Sequence, residues 1–134
     1  MVELVWDQRQ VGTATTSTGH SLCVGGDSSV PPEDLLAMSV AACLMRTCLR
    51  LAADQGIDLL SFTAAARVDG GCDAQALRIS LTAHLVTSRN VPESTLRGVW
   101  ERAVRKSPVA VVLGAALDTE LEVTRLSEPA IRTP

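Results

Sequence analysis

Aromatic residues are nearly absent: two Trp, one Phe and no Tyr in 134 residues. Proteins that hold single-stranded nucleic acid stack bases on aromatic rings and track the backbone with a concentrated positive face. This chain has neither, since its net charge is −3 and its basic residues are scattered. It also lacks a C-x-x-C pair, and His20 and His84 are not placed around one, so no structural zinc and no other cofactor is expected. The longest nearly uninterrupted apolar run, Leu35 to Met45, is shorter than the roughly 20 residues a membrane-crossing helix needs. The opening Met-Val-Glu-Leu-Val-Trp-Asp has no basic region and no apolar leader, so a cytoplasmic protein is expected.

What is present describes a folded chain. Hydrophobic residues make up 46% and charged residues 20%, a globular composition. The length suits one domain, placed at residues 1–126 with a loose tail at 127–134. Four cysteines, Cys23, Cys43, Cys48 and Cys72, would stay reduced in the cytoplasm, where each is either buried filler or a reactive group.

Periodicity gives the elements. Val2, Leu4 and Trp6 alternate with polar neighbours, and Val11 to Thr16 is rich in β-branched residues, so the two predict a hairpin. A short strand follows at Ser21 to Val24, then a loop through Gly25-Gly26-Asp27. Pro31-Pro32-Glu33-Asp34 opens a long helix that runs to Ala53, with Gly56 as its stop. From Leu35 to Met45 its apolar residues go all the way round, which asks for enclosure on every side. Two long antiparallel strands come next. Leu60, Phe62, Ala64, Ala66 and Val68 share one face of the first, and Leu77, Ile79, Leu81, Ala83 and Leu85 one face of the second. Leu96, Val99, Trp100, Ala103 and Val104 mark an amphipathic helix beginning near Pro92. Ser107-Pro108 reads as an N-cap and first-turn proline before a short helix, Val109 to Leu113, and a last strand spans Leu117 to Val123. The class is α+β. So short a chain has little material to wrap its central helix, which implies a homodimer.

Two segments carry a resemblance. Pro32-Glu33-Asp34-Leu35-Leu36-Ala37-Met38-Ser39-Val40-Ala41-Ala42-Cys43 resembles the P-E-x-L-x-x-A-x-x-A-C signature of the OsmC/Ohr family. Ser107-Pro108-Val109-Ala110-Val111-Val112-Leu113 resembles that family's later C-P-V-x-x-x-L. The resemblance implies antiparallel sheets around a buried central helix, an intertwined homodimer, and thiol-dependent reduction of organic hydroperoxides. In such enzymes the first cysteine attacks the peroxide and the second forms a disulfide with it.

By that resemblance Cys43 is the attacking thiol, and Glu33 is the glutamate that orients an arginine supplied by an earlier strand. Arg9 is the sole arginine or lysine before Arg46 and the candidate for that role. One subfamily's arginine aligns instead near Cys23 or His20. Ten helical residues span about 15 Å, so Glu33 cannot touch Cys43 of its own helix. Ser107 occupies the second cysteine's place and cannot form a disulfide. Resolution would then fall to Cys23, the cysteine on the strand before the helix, or to an external thiol. Cys48 points about 140° away from Cys43 around the helix, and Cys72 sits in a turn. The competing reading is a non-enzymatic protein holding a small apolar molecule at the dimer interface.

Overall fold

The computed structural model describes residues 1–6, 12–24, 30–70 and 76–126. Arg9, Cys72, the Gly25–Asp27 loop and the expected loose tail lie outside them. The chain divides into two compact units, Met1–Leu36 and Ala37–Pro134, and the boundary falls inside the long helix.

The first unit contains a three-stranded antiparallel sheet in the order β1 (Val2–Trp6), β2 (Gly12–Thr16), β3 (Ser21–Val24). The β2–β3 turn is closed by the Thr16 amide donating to the His20 carbonyl at 2.8 Å, and Thr18 Oγ1 lies 3.0 Å from the His20 ring. His20 is thus a turn residue.

Helix α1 spans Pro32–Asp54. It opens with the Pro31 carbonyl accepting from the amides of Asp34 and Leu35, and Glu33 and Asp34 stand in the first turn, where the helix dipole favours acids. Its end is a paired closure: the Gly56 amide donates to Ala53 and the Ile57 amide to Ala52, with Gly56 at φ +69°. At 23 residues, with a mean hydropathy of 1.6 over its most apolar stretch, α1 is long and apolar enough to cross a membrane by length and composition. Val40, Leu44 and Cys48 are nevertheless fully buried, as in the core helix of a globular protein.

The second unit continues with β4 (Leu59–Asp69), β5 (Arg78–Ser88), α2 (Glu93–Lys106), α3 (Pro108–Leu113), a 3-10 turn at Gly114–Ala116 and β6 (Leu117–Leu126). Its sheet has the order β4-β5-β6. β4 and β5 are antiparallel as expected, but β6 runs parallel to β5. The chain between them carries two helices, and a helical crossover returns a strand in the same direction. Ile79, Leu81, Ala83 and Leu85 of the central strand are buried, as are Leu96, Val99, Trp100 and Ala103 of α2. Phe62 meets Trp100 with ring centroids 6.4 Å apart.

On β4, Phe62, Ala64, Ala66 and Val68 stand opposite Leu85, Ala83, Leu81 and Ile79 as the shared face predicts; Phe62 and Val68 are half-buried, and Leu60, Ala64 and Ala66 are exposed. Leu60 falls at a register shift, so it no longer continues the alternation. Helix α1 is not enclosed on every side within one chain, in keeping with the small amount of material available to wrap it: Met38, Met45 and Leu49 are exposed.

The positive φ at Gly56 gives a stability prediction. Gly56→Ala should cost about 1 kcal/mol, the penalty for a Cβ in the left-handed region. Gln55→Ala, at an ordinary exposed position, should stay within about 0.5 kcal/mol. Chemical denaturation of the two variants checks the difference.

Candidate active site

Pro108 shapes the site before any side chain is considered. A proline disfavours helical torsions in the residue before it, and Ser107 is extended at φ −71°, ψ 117°. There α2 ends and α3 begins. The Ser107 amide donates to the Ala103 carbonyl at 2.8 Å, and its carbonyl accepts from the Val111 amide at 2.9 Å. The backbone of Ser107 is therefore held by both helices. Ser107 is the N-cap of α3 as expected, but its side chain makes no capping hydrogen bond. Instead the fully buried hydroxyl donates to Cys43 Sγ at 2.8 Å.

Cys43 itself is half-buried. It opens onto a cavity of about 810 Å³ lined in part by Ser39, Cys43, Arg46 and Arg50 of α1 and by Lys106, Pro108 and Val109. Ser39, Cys43, Arg46 and Arg50 recur at i, i+4, i+7 and i+11, which is one face of a helix. Lys106 arrives from the last turn of α2. Three cations thus border the cavity and, among the described residues, no carboxylate does. None of the three joins an ion pair among the described residues, whose pairs are Arg67–Asp69, Arg78–Asp118 and Arg97–Glu93.

Cys48 shows the opposite setting on the same helix. It is fully buried, and loss of water pushes its thiol up to about 11. Reactive cysteines sit in electropositive, partly exposed surroundings, whereas thiols in apolar burial are inert. Cys43 has the first environment and Cys48 the second. Among the described residues no His, Cys, Asp and Glu cluster could hold a metal ion.

The remaining expected site residues are placed as follows. Glu33 lies in the first turn of α1, makes no side-chain hydrogen bond among the described residues and does not line the cavity. Cys23 is an exposed free thiol on β3 of the first unit. His84 is on the sheet surface, with its ring 2.7 Å from Thr124 Oγ1. The cations that share the cavity with Cys43 are Arg46, Arg50 and Lys106, none of which the family signature singles out. The helical spacing of the first two from Cys43 was the available signal; Lys106 depends on tertiary packing.

The model of a family described as OsmC-like protein matches residues 25–122. No curated protein is matched by the sequence. Solved structures share the fold at low identity. A hypothetical protein from Aquifex aeolicus superposes with a TM-score of 0.79 at 15% identity, covering 96% of this chain and 97% of that one. An OsmC-like protein from Mycoplasma pneumoniae gives 0.78 at 17%, covering 94% and 96%. An organic hydroperoxide resistance protein from Legionella pneumophila gives 0.69 at 18%, covering 92% and 95%.

Burial of Cys48 carries a pH prediction. Its thiol is raised from 9.0 to about 11, so the neutral form is favoured in the fold. That contribution is complete below about pH 9 and is lost as pH rises toward 11. Denaturation midpoints measured across this window should fall in the wild type and fall less in Cys48→Ala.

Proposed function

Because the chain belongs to the OsmC-like protein family, we propose that it is a thiol-dependent peroxidase that reduces organic hydroperoxides through Cys43 with the help of an external thiol. The observation that carries this reading is the 2.8 Å contact between Ser107 Oγ and Cys43 Sγ. It supports the reading that Ser107 stands in for the family's second cysteine beside Cys43, with an oxygen in place of one sulfur. The Legionella pneumophila neighbour is described as an organic hydroperoxide resistance protein, which agrees with a peroxide substrate.

In the reaction, Cys43 Sγ attacks the terminal oxygen of the hydroperoxide. An S–O bond forms, the O–O bond breaks, and the departing alkoxide takes a proton and leaves as the alcohol. Sulfur is oxidised by two electrons to the sulfenic acid, and the peroxide is reduced by the same two. The Ser107 hydroxyl and the cavity cations favour the negative charge that develops. Ser107 has no sulfur to displace the new hydroxyl, so a thiol from solution must do so. An apolar ligand is the weaker alternative, because three cations border the cavity.

The homodimer belongs to the same reading. Met38, Met45 and Leu49 form an exposed apolar stripe on α1, and Val112 of α3 is 85% exposed. Apolar surface of this kind marks an interaction face, and a second copy of the chain is its occupant. Light scattering at micromolar concentration should give twice the 14.1 kDa chain mass, and a folded monomer would remove the second copy from the proposal.

The catalytic reading is tested by returning the sulfur. One equivalent of cumene hydroperoxide should convert Ser107→Cys to a disulfide between Cys43 and the introduced thiol, because the two side chains already touch. Wild type should instead hold a Cys43 sulfenic acid that dimedone traps. Cys43→Ser, which keeps an acceptor for the Ser107 hydroxyl, should not consume peroxide. If Cys43 stays a free thiol in the wild type while peroxide survives, the peroxidase reading is wrong.

A further inference from the structure

The reducing thiol must reach a sulfur that opens onto a cationic cavity. Arg46 and Arg50 lie on the Cys43 face of α1, and Lys106 closes in from the end of α2. All three are exposed, and none is paired with an acid among the described residues. The chain has 15 acidic and 12 basic residues, yet among the described residues the cavity lining carries three cations and no carboxylate, a local arrangement against the overall charge. A cleft lined by one sign of charge raises the local concentration of the opposite ion. A hydroperoxide group is neutral and gains little from this. A co-substrate that must be delivered twice per turnover gains from it each time.

We infer that the cavity selects an acidic low-molecular-weight thiol, one carrying carboxylates, as the reductant of Cys43; this rests on the peroxidase reading above. Guanidinium groups bind carboxylates through two parallel hydrogen bonds, and Arg46 and Arg50 offer two such groups along one helix face. The thiol end then reaches Cys43. Its sulfur attacks the sulfenic sulfur, an S–S bond forms, the S–O bond breaks, and the hydroxide leaves as water with the thiol's proton. A second acidic thiol attacks the outer sulfur of this mixed disulfide. It releases the soluble acidic disulfide and returns Cys43 to the thiol.

The test compares reagents of different charge. Pre-oxidised protein is reduced with mercaptosuccinate, 2-mercaptoethanol or cysteamine, and the anionic-to-neutral rate ratio is taken for wild type and for Arg46→Gln/Arg50→Gln. The ratio cancels the intrinsic reactivity of each thiol and any general effect of the substitutions on the site. It should fall by roughly tenfold or more in the double variant, fall likewise in wild type as salt is raised, and be restored in Arg46→Lys/Arg50→Lys. The salt titration of wild type keeps the test decisive if a variant does not fold.

A second measurement needs no peroxide. Cys43 of the reduced protein is exchanged with the anionic 5,5′-dithiobis(2-nitrobenzoate) and the neutral hydroxyethyl disulfide, and the same ratios are read. If Cys43 forms no sulfenic acid yet exchange is anion-selective, the peroxidase reading fails and the acidic-thiol site stands. Equal ratios in wild type and variant in both measurements overturn the inference. A charge preference confined to the peroxide step, seen with carboxylated against neutral hydroperoxides, overturns it in favour of an anionic substrate.

Discussion

Because Pro108 crowds the residue before it, α2 stops at Lys106 and the backbone of Ser107 takes extended torsions. Hydrogen bonds to Ala103 and Val111 then fix that residue from both sides, and its hydroxyl, shut off from water, finds its partner in Cys43 Sγ. A buried hydroxyl without a partner costs about 1–3 kcal/mol, so the contact constrains both residues. It also ties α1 to the start of α3, and the cavity lies where these two elements and the end of α2 meet. The chemistry proposed for the chain follows from that junction.

Most of the fold was legible because its elements are locally consistent. The β3 segment, the α1 start among prolines and acids, and the Gly56 stop depend on short-range rules, and they fall where the sequence places them. The parallel pairing of β6 was not legible, since strand direction depends on how far a helical connection carries the chain. The shared face of β4 was legible, but the exposure of its alanines was not, for a related reason. Alternation tells which residues share a face, whereas burial depends on what stands opposite. Ser107 shows the same limit at the site: Ser-Pro before an apolar stretch is an N-cap signal, but a sulfur across the fold takes the hydroxyl instead.

Cys43 and Cys48 show how one helix can hold two unlike thiols. Five residues apart, they differ by about 140° in direction. One faces the cavity with its hydroxyl donor and cations, and the other is sealed in the core, where loss of water disfavours its charged form. The α1 sequence therefore has to satisfy packing on one side and access on another. That accounts for an apolar circumference interrupted at Arg46 and Arg50, both on the Cys43 face.

If Cys43 works as proposed, an oxygen at Ser107 in place of a second sulfur changes what the cavity has to do. An intramolecular thiol in contact with Cys43 acts at an effective concentration that can reach about 10⁵ M or more, far above any dissolved thiol. An external reductant recovers only part of this, and attraction by fixed charges can add about 10- to 1,000-fold to its encounter rate. Neutral lining would leave the sulfenic acid waiting on unassisted collision. With Arg46, Arg50 and Lys106 around the opening and no carboxylate among them, a thiol carrying its own negative charge is concentrated where the serine cannot act. On the proposed peroxidase reading, the serine and the cations act together, the first excluding internal resolution and the second drawing in an external thiol.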